Sequence, residues 1–492
     1  MSYILAIDQG TSSTKTIIFD EYGQAICKGS EPLETKYLED GWVEQDPEAI
    51  YQNVLKSVEL CLDAFREKGG NLKEIKCCGI SNQRETFVLW DQDGRPLYNA
   101  VVWQCKRSVS VCQDLESRGL SKTLKEKTGL IIDPYFSGSK VIWLYENDQA
   151  IKNAIDNGQA YFGNIDTWLL YKLTNGKAYL TDYTNASRTM FFNLHDLDWD
   201  QELLNEFGLA KLNLPDTKPS SYEFGRTNIG GLLDHETTIS SMIGDSHAAA
   251  FGEGCFEPGS AKATLGTGSS ILMNIGDKPK ASKTGMVTTI CWSTEDRVDY
   301  ALEGIIVSAG ATIEWIKNQL GLFANTSELE AICLSVSDNG GVYIVPAFSG
   351  LGAPHWQMDR KASIEGLTFN STKNHVIRAA VESVPYQIKD VIVAMEADSG
   401  TELSELKVDG GITANKMLVQ FLADLLERKV TNIKIADVSA MGAGYLAGLS
   451  AGIYSGIDQL KTFNLEATTT ESREQTHQVK AYYEGWLKII NK

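Results

Sequence analysis

Residues 3–20 read as two apolar, β-type runs around a turn rich in Gly, Thr and Ser, with one acid, Asp8, near the end of the first run. The pattern predicts a β-hairpin whose tip offers backbone N–H groups, the hydroxyls of Thr11, Ser12 and Ser13 and the Lys15 ammonium to an anion, and one carboxylate to a cation. Phosphate with a divalent metal fits such a tip. An ordinary surface hairpin that needs glycine for its turn fits it too. The same strand, Gly/Thr/Ser turn, strand pattern returns at residues 261–274, around Gly266 and Thr267. One such hairpin opening each half suggests a duplicated fold with two phosphate-gripping loops across one cleft. Further strand-like runs at 76–81, 86–91, 341–346 and 406–409 alternate with helix-periodic stretches such as 48–68 and 374–399. This mixture predicts an α/β protein.

A chain of 492 residues exceeds what one hydrophobic core serves, so two domains of roughly 250 residues are expected, 1–250 and 251–492. No Pro/Ser-rich linker divides them, so they are expected to pack around a cleft. The only low-complexity patch, 467–470, is short. No apolar run is long enough to span a bilayer and the start lacks a signal pattern, so a cytoplasmic protein without membrane insertion is expected. The nine cysteines are scattered, with no Cys-x-x-Cys pair, which predicts reduced, mostly buried thiols. The six histidines show no metal-ligand spacing, which argues against His-based catalysis. A net charge of −19 argues against nucleic acid as a partner, while a small anion needs local donors to outweigh that field.

Several motifs carry chemistry. No Gly-x-x-x-x-Gly-Lys-Ser/Thr is present, which excludes a P-loop enzyme. Gly442-Ala443-Gly444 enters a small-residue helical stretch and reads as helix packing, not a dinucleotide fingerprint. Gly410-Gly411, with Asn415, joins a short strand to a helix, as an ordinary turn or as a place where backbone approaches an anion. Asp245 lies where a strand meets an Ala-rich helix, either as a helix N-cap or as a base at the bottom of a cleft. The polar cluster 81–86 lies between two apolar β runs. A solvated hairpin tip explains it, and so does a cradle in which Arg84 and Glu85 donate to and accept from vicinal hydroxyls. Trp103 and Tyr135 could add an apolar wall and a phenol, although lone aromatics are commonly core.

Together these pieces resemble the FGGY carbohydrate kinases over essentially the whole chain, and within that family the members that phosphorylate glycerol. Residues 135–144 resemble the first family signature; 362–366, continuing to His375 and Glu382, resemble the second. Segments 82–85, 98–105, 132–138, 182–190 and 346–354 resemble the glycerol-phosphorylating branch. The resemblance implies a duplicated actin/hexokinase-like (ribonuclease H-like) fold with an alcohol and ATP with Mg2+ in the interdomain cleft. It assigns Asp245 as catalytic base, Arg84, Glu85, Trp103 and Tyr135 as polyol contacts, and Asp8 as the acid organising magnesium, directly or through water. Thr11, Ser12, Ser13 and Lys15 match the first phosphate loop, Gly266 and Thr267 the second, and Gly310, Glu314, Gly411 and Asn415 the nucleotide pocket. The implied reaction is phosphorylation of a small polyol, glycerol to glycerol 3-phosphate.

Departures fall around the substrate. Ser246 stands where that branch carries Gln, Ser270 where it carries an aromatic ring, Glu314 where it carries Gln and Lys15 where it carries Arg. Such a pocket is larger and more polar, which keeps a four- or five-carbon polyol or a ketose as the alternative substrate. A non-enzymatic actin-like nucleotide switch would not need the Arg84-Glu85 pair. The sequence leaves oligomeric state and regulation open.

Overall fold

The computed structural model describes residues 2–463, 465–473 and 477–492. Its two main sheets repeat one topology. In the N-terminal half Tyr3–Gln9 pairs antiparallel with Ser13–Asp20, which pairs antiparallel with Ala25–Pro32; on its other side Tyr3–Gln9 pairs parallel with Ile75–Asn82, which pairs parallel with Thr237–Gly244. In the C-terminal half Ser260–Leu265 pairs antiparallel with Ser269–Gly276 and this with Arg297–Ile306, while Glu405–Asp409 and Val430–Ile433 add in parallel on the other side. Each sheet is thus a three-strand meander extended by two parallel strands. Edge strands Ser221–Thr227, Val287–Thr294 and Ala467–Thr470 complete them. This is the two-fold α/β duplication that the two hairpins predict.

Local chemistry sets the helix ends. Asp46 caps Pro47–Glu67 by accepting from the Glu48 and Ala49 amides, with Pro at the first helical position, where it costs no hydrogen bond. Lys373–Ser399 opens with a reciprocal Thr372–His375 capping box and stops at Gly400, φ 67°.

The halves meet over a shared apolar core that joins Ile4 and Ala6 of the first sheet to Phe251, Trp292, Met441 and Leu446. Two helices cross there, Asp245–Gly252 and Val438–Ser450. A Cβ at Gly442 would sit 1.9 Å from the Ala248 carbonyl oxygen, and one at Gly252 would sit 2.5 Å from that of Val438. Glycine lets the helices approach, so 442–444 serves packing, as its sequence context indicates. All nine cysteines are buried and unbridged. No helix among the described residues is long and apolar enough to cross a membrane.

Candidate active site

Residues 81–86 are not a hairpin tip. Ile75–Asn82 lies in the first sheet and Phe87–Trp90 in a separate small sheet, so the chain leaves one sheet at the cluster and enters another. All six residues are buried at the bottom of a cleft, and Glu85 adopts φ +59°, a conformation rare outside glycine. Asp245 is likewise not an N-cap: Gly244 takes that place and Asp245 is the first helical residue. A Cβ at position 244 would meet the Arg84 side chain at 2.7 Å, so glycine there lets the guanidinium lie beside Asp245.

One cavity of about 400 Å³ brings together Asp8, Thr11, Lys15, Arg84, Glu85, Trp103, Tyr135, Asp245, Ser246, Gly266 and Ser270. Arg84 is its hub. Its Nε lies 3.4 Å from Asp245 Oδ1 and its Nη2 lies 2.9 Å from Glu303 Oε1, while Nη1 is 3.1 Å from His247 Nε2. Burial, reinforced by Arg84 and Arg188, pushes His247 far below the usual imidazole range, so it is neutral and accepts from Arg84. Glu85 Oε1 accepts from Arg188 Nε at 2.6 Å, and Arg188 Nη2 lies 2.7 Å from Glu303 Oε2. Two guanidiniums and two carboxylates thus lock one another through direct contacts. Burial acts to raise both acids. At Glu85 it wins, whereas at Glu303 the two guanidiniums outweigh it and hold the carboxyl well below the usual range.

The Trp103 and Tyr135 rings meet edge to face at 5.6 Å. The buried Lys140 ties them by donating to the Tyr135 carbonyl at 2.8 Å and to that of Trp103 at 3.3 Å; burial lowers its ammonium to about 8. Trp103 Nε1 donates to Thr11 Oγ1 at 2.9 Å, fastening the aromatic wall to the first turn. The same cavity holds two hydroxyls, Ser246 Oγ and Ser270 Oγ, 3.5 Å apart, and Ser270 donates to Glu303 at 3.1 Å. Asp8 accepts from Ser81 Oγ at 3.0 Å; burial, with Asp245 nearby, raises its carboxyl to about 6. Lys15 pairs with Asp437 at 3.2 Å.

A second cavity, about 510 Å³, holds Gly266, Thr267, Gly310, Glu314, Gly411 and Asn415, with Leu329 and Glu330 on its wall. The turn at Gly266 borders both cavities. Its Gly266 and Thr267 carbonyls accept from the Gly310 and Ala311 amides, binding it to the start of the helix Gly310–Asn318. A Cβ at Gly310 would stand 2.6 Å from the Gly266 oxygen. Asn415 caps the helix Lys416–Leu426 through Oδ1, while its buried Nδ2 has no partner. That amide is a donor left for a ligand. Glu314 Oε2 accepts from Asn318 at 3.1 Å. Ser12 and Ser13 line neither cavity; the Ser13 carbonyl closes the first turn by accepting from the Gly10 amide.

Sequence reasoning missed Glu303, Arg188 and His247, which hold Arg84 and Glu85, Asp437, which pairs with Lys15, and Lys262 and Asp409, which line the same cavity. Glu303 interrupts the apolar end of Arg297–Ile306, an acid on a buried strand and the one local signal available.

The model of the N-terminal domain of the FGGY family of carbohydrate kinases matches residues 3–252, and that of its C-terminal domain matches 261–451. A glycerol kinase of Caldanaerobacter subterraneus subsp. tengcongensis is 44% identical over 492 residues, covering 100% of this chain and 98% of the relative. Glycerol kinase 1 of Thermotoga maritima is 45% identical over 491 residues, covering 100% and 99%. The crystal structure of Plasmodium falciparum glycerol kinase with ADP superposes with a TM-score of 0.94 at 35% identity, covering 100% of this chain and 98% of that one. On matches that span both halves, this chain belongs to the FGGY family of carbohydrate kinases.

Proposed function

We propose that this kinase transfers the γ-phosphoryl group of ATP to a terminal hydroxyl of glycerol, giving glycerol 3-phosphate. The observation that carries the reading is the placement of Asp245. Its carboxylate, 40% exposed, opens into the cleft beside Arg84, and the Gly266 turn, which lines the same cavity, is also a wall of the second, nucleotide-sized cavity. The glycerol kinases among its relatives support the choice of acceptor.

In this reading Arg84 and Glu85 hold the vicinal hydroxyls, and the Trp103–Tyr135 corner takes the carbon backbone. The Arg84–Glu303–Arg188–Glu85 lock keeps both polar contacts from swinging, so acceptor placement needs no reorganisation during transfer. Asp245 orients the terminal hydroxyl and takes its proton as the bond to phosphorus forms, a late transfer suited to a loose transition state. The first turn, with Lys15, and the Gly266 turn cradle the phosphates.

The Asp8 carboxylate, the Ser81 hydroxyl bonded to it and the nearby Asp245 and Asp437 carboxylates are oxygen ligands, which suit a hard cation, with the Lys15 ammonium as a neighbour. Among the described residues no group of three or more His, Cys, Asp or Glu side chains forms a metal cage, which leaves phosphate and water to complete the shell. Asp8 would hold Mg2+, which supplies charge neutralisation to the phosphates.

Ser246 and Ser270 favour a second reading. Two small hydroxyls in the same cavity as the aromatic corner leave room and hydrogen bonds for a four- or five-carbon polyol or ketose. A panel of C3 to C5 polyols and ketoses with coupled ADP detection decides the matter. Glycerol-dependent ADP release supports the first reading and a preference for longer acceptors the second; acceptor-independent hydrolysis overturns both.

A further inference from the structure

Lys262 has no place in the scheme above, yet its side chain lines the cleft cavity alongside Asp8, Asp245 and Gly266. It lies on Ser260–Leu265, the strand that leads into the second turn, and shares its face with Thr264 two residues on. The pairing places Ser270 and Asp409 on either side of Thr264, so this face of the sheet is the floor of the cleft. Lys262 is only 2% exposed, and its ammonium donates to Thr264 Oγ1 at 3.0 Å. Among the described residues it has no carboxylate within ion-pair distance. The other cations of the cavity are paired, Lys15 with Asp437 and Arg84 with Glu303 and Asp245.

A buried ammonium without a counter-ion is costly, and a ligand anion removes the cost. The nearby acids do not replace that anion. Both Glu253 carboxyl oxygens are buried without a hydrogen-bond partner, and burial raises this group to about 8, so it is mostly protonated at neutral pH. Asp409 lies beside Thr264 in the parallel pairing, where Lys262 is matched by Lys407, and makes no ion pair with Lys262. Lys262 lines the cavity containing Asp245 and is absent from the lining of the second cavity, on the far side of the Gly266 turn. The anion it faces is therefore the end of the phosphate chain nearest the acceptor.

Resting on the phosphoryl transfer proposed above, we infer that Lys262 is a further catalytic residue, binding a non-bridging oxygen of the γ-phosphoryl group as it moves. The acceptor oxygen–phosphorus bond forms while the bond from γ-phosphorus to the bridging oxygen breaks. The hydroxyl proton passes to Asp245, the electron pair leaves on ADP, and Lys262 keeps its protons.

The test compares the parent with Lys262→Met, Lys262→Arg and the double variant Lys262→Met/Glu253→Gln. Lys262→Met is expected to lower kcat at least about 100-fold, the scale of losing one aimed donor, with the glycerol KM within about threefold and partial recovery in Lys262→Arg. Calorimetry with a non-hydrolysable ATP analogue and with ADP supplies a readout free of turnover: the analogue should lose roughly tenfold more affinity than ADP, because only it carries the γ group. If Lys262→Met does not fold, Lys262→Gln replaces it in every arm. Turnover within threefold of the parent overturns the inference, as does equal loss of both nucleotides. Recovery of kcat in the double variant also overturns it, by making Lys262 a counter-charge for Glu253. A parent without acceptor-dependent ADP release overturns the proposed function instead, and the calorimetric comparison still decides Lys262.

Discussion

Replacing Glu303 by Gln should destabilise the enzyme and misplace its acceptor contacts together. Glu303 is fully buried, with Oε1 2.9 Å from Arg84 and Oε2 2.7 Å from Arg188. Within the lock two guanidiniums face Glu85 and Glu303; the substitution leaves one carboxylate for two cations. Removing one partner of a buried pair costs about 3–5 kcal/mol, since the uncompensated charge stays in a low-dielectric site. For a cooperative unit of 150–250 residues that corresponds to a fall in Tm of roughly 6–20 °C. Scanning calorimetry measures it, and steady-state kinetics should show a higher KM for the acceptor with a lower kcat, because Arg84 loses its strongest anchor. Glu303→Gln/Arg188→Met restores the charge balance and should recover part of the lost Tm. A fall of under about 2 °C with unchanged kinetics would refute the reasoning and reduce the lock to bystander packing.

Arg84→Ala should raise the acceptor KM and lower kcat while calorimetric ATP affinity stays near the parent's; lost ATP binding with intact acceptor binding would move Arg84 to the phosphate side. Ser270→Phe should shift kcat/KM toward glycerol and against a four-carbon polyol by about 1–3 kcal/mol, roughly tenfold to two-hundredfold. Ser246→Gln belongs in the same series, since the two hydroxyls lie 3.5 Å apart and need not act additively. A parent already strongly selective for glycerol, with no gain in the Phe variant, rules out the widened pocket. Burial and the nearby Asp409 raise Glu253 to about 8. The native state therefore holds a proton that the unfolded chain releases near pH 4–5, and stability falls as pH rises from there through about 8. Glu253→Gln should flatten that slope, gaining Tm over the parent at pH 8 and little at pH 5; parallel curves would show that the carboxyl is not buried neutral.

The hairpins were legible because strand alternation and turn composition are local. Asp8 faces Lys15 across the first hairpin, and Thr264 faces Ser270 across the second. Helix packing at 442–444 was legible for the same reason. The 81–86 cluster admitted a hairpin-tip reading because nothing local reveals that the flanking strands enter different sheets. Asp245 admitted an N-cap reading because one residue separates that position from the first helical one. Arg188 and Glu303 are more than a hundred residues apart in sequence and meet only in the fold. A charge on an otherwise apolar strand marks burial with a partner but does not name it. Lys262 lay unremarked beside the second turn, since a lysine on a strand gives no sign of whether it faces solvent or a cleft.

The most direct test of the account is Asp245→Asn. Glycerol-dependent ADP release should fall by roughly 10²–10⁴-fold, the loss expected on removing a general base. Calorimetric affinities for glycerol and ATP should stay near the parent's, because the amide keeps the shape beside Arg84. Near-parental turnover in that variant would contradict the account at its centre.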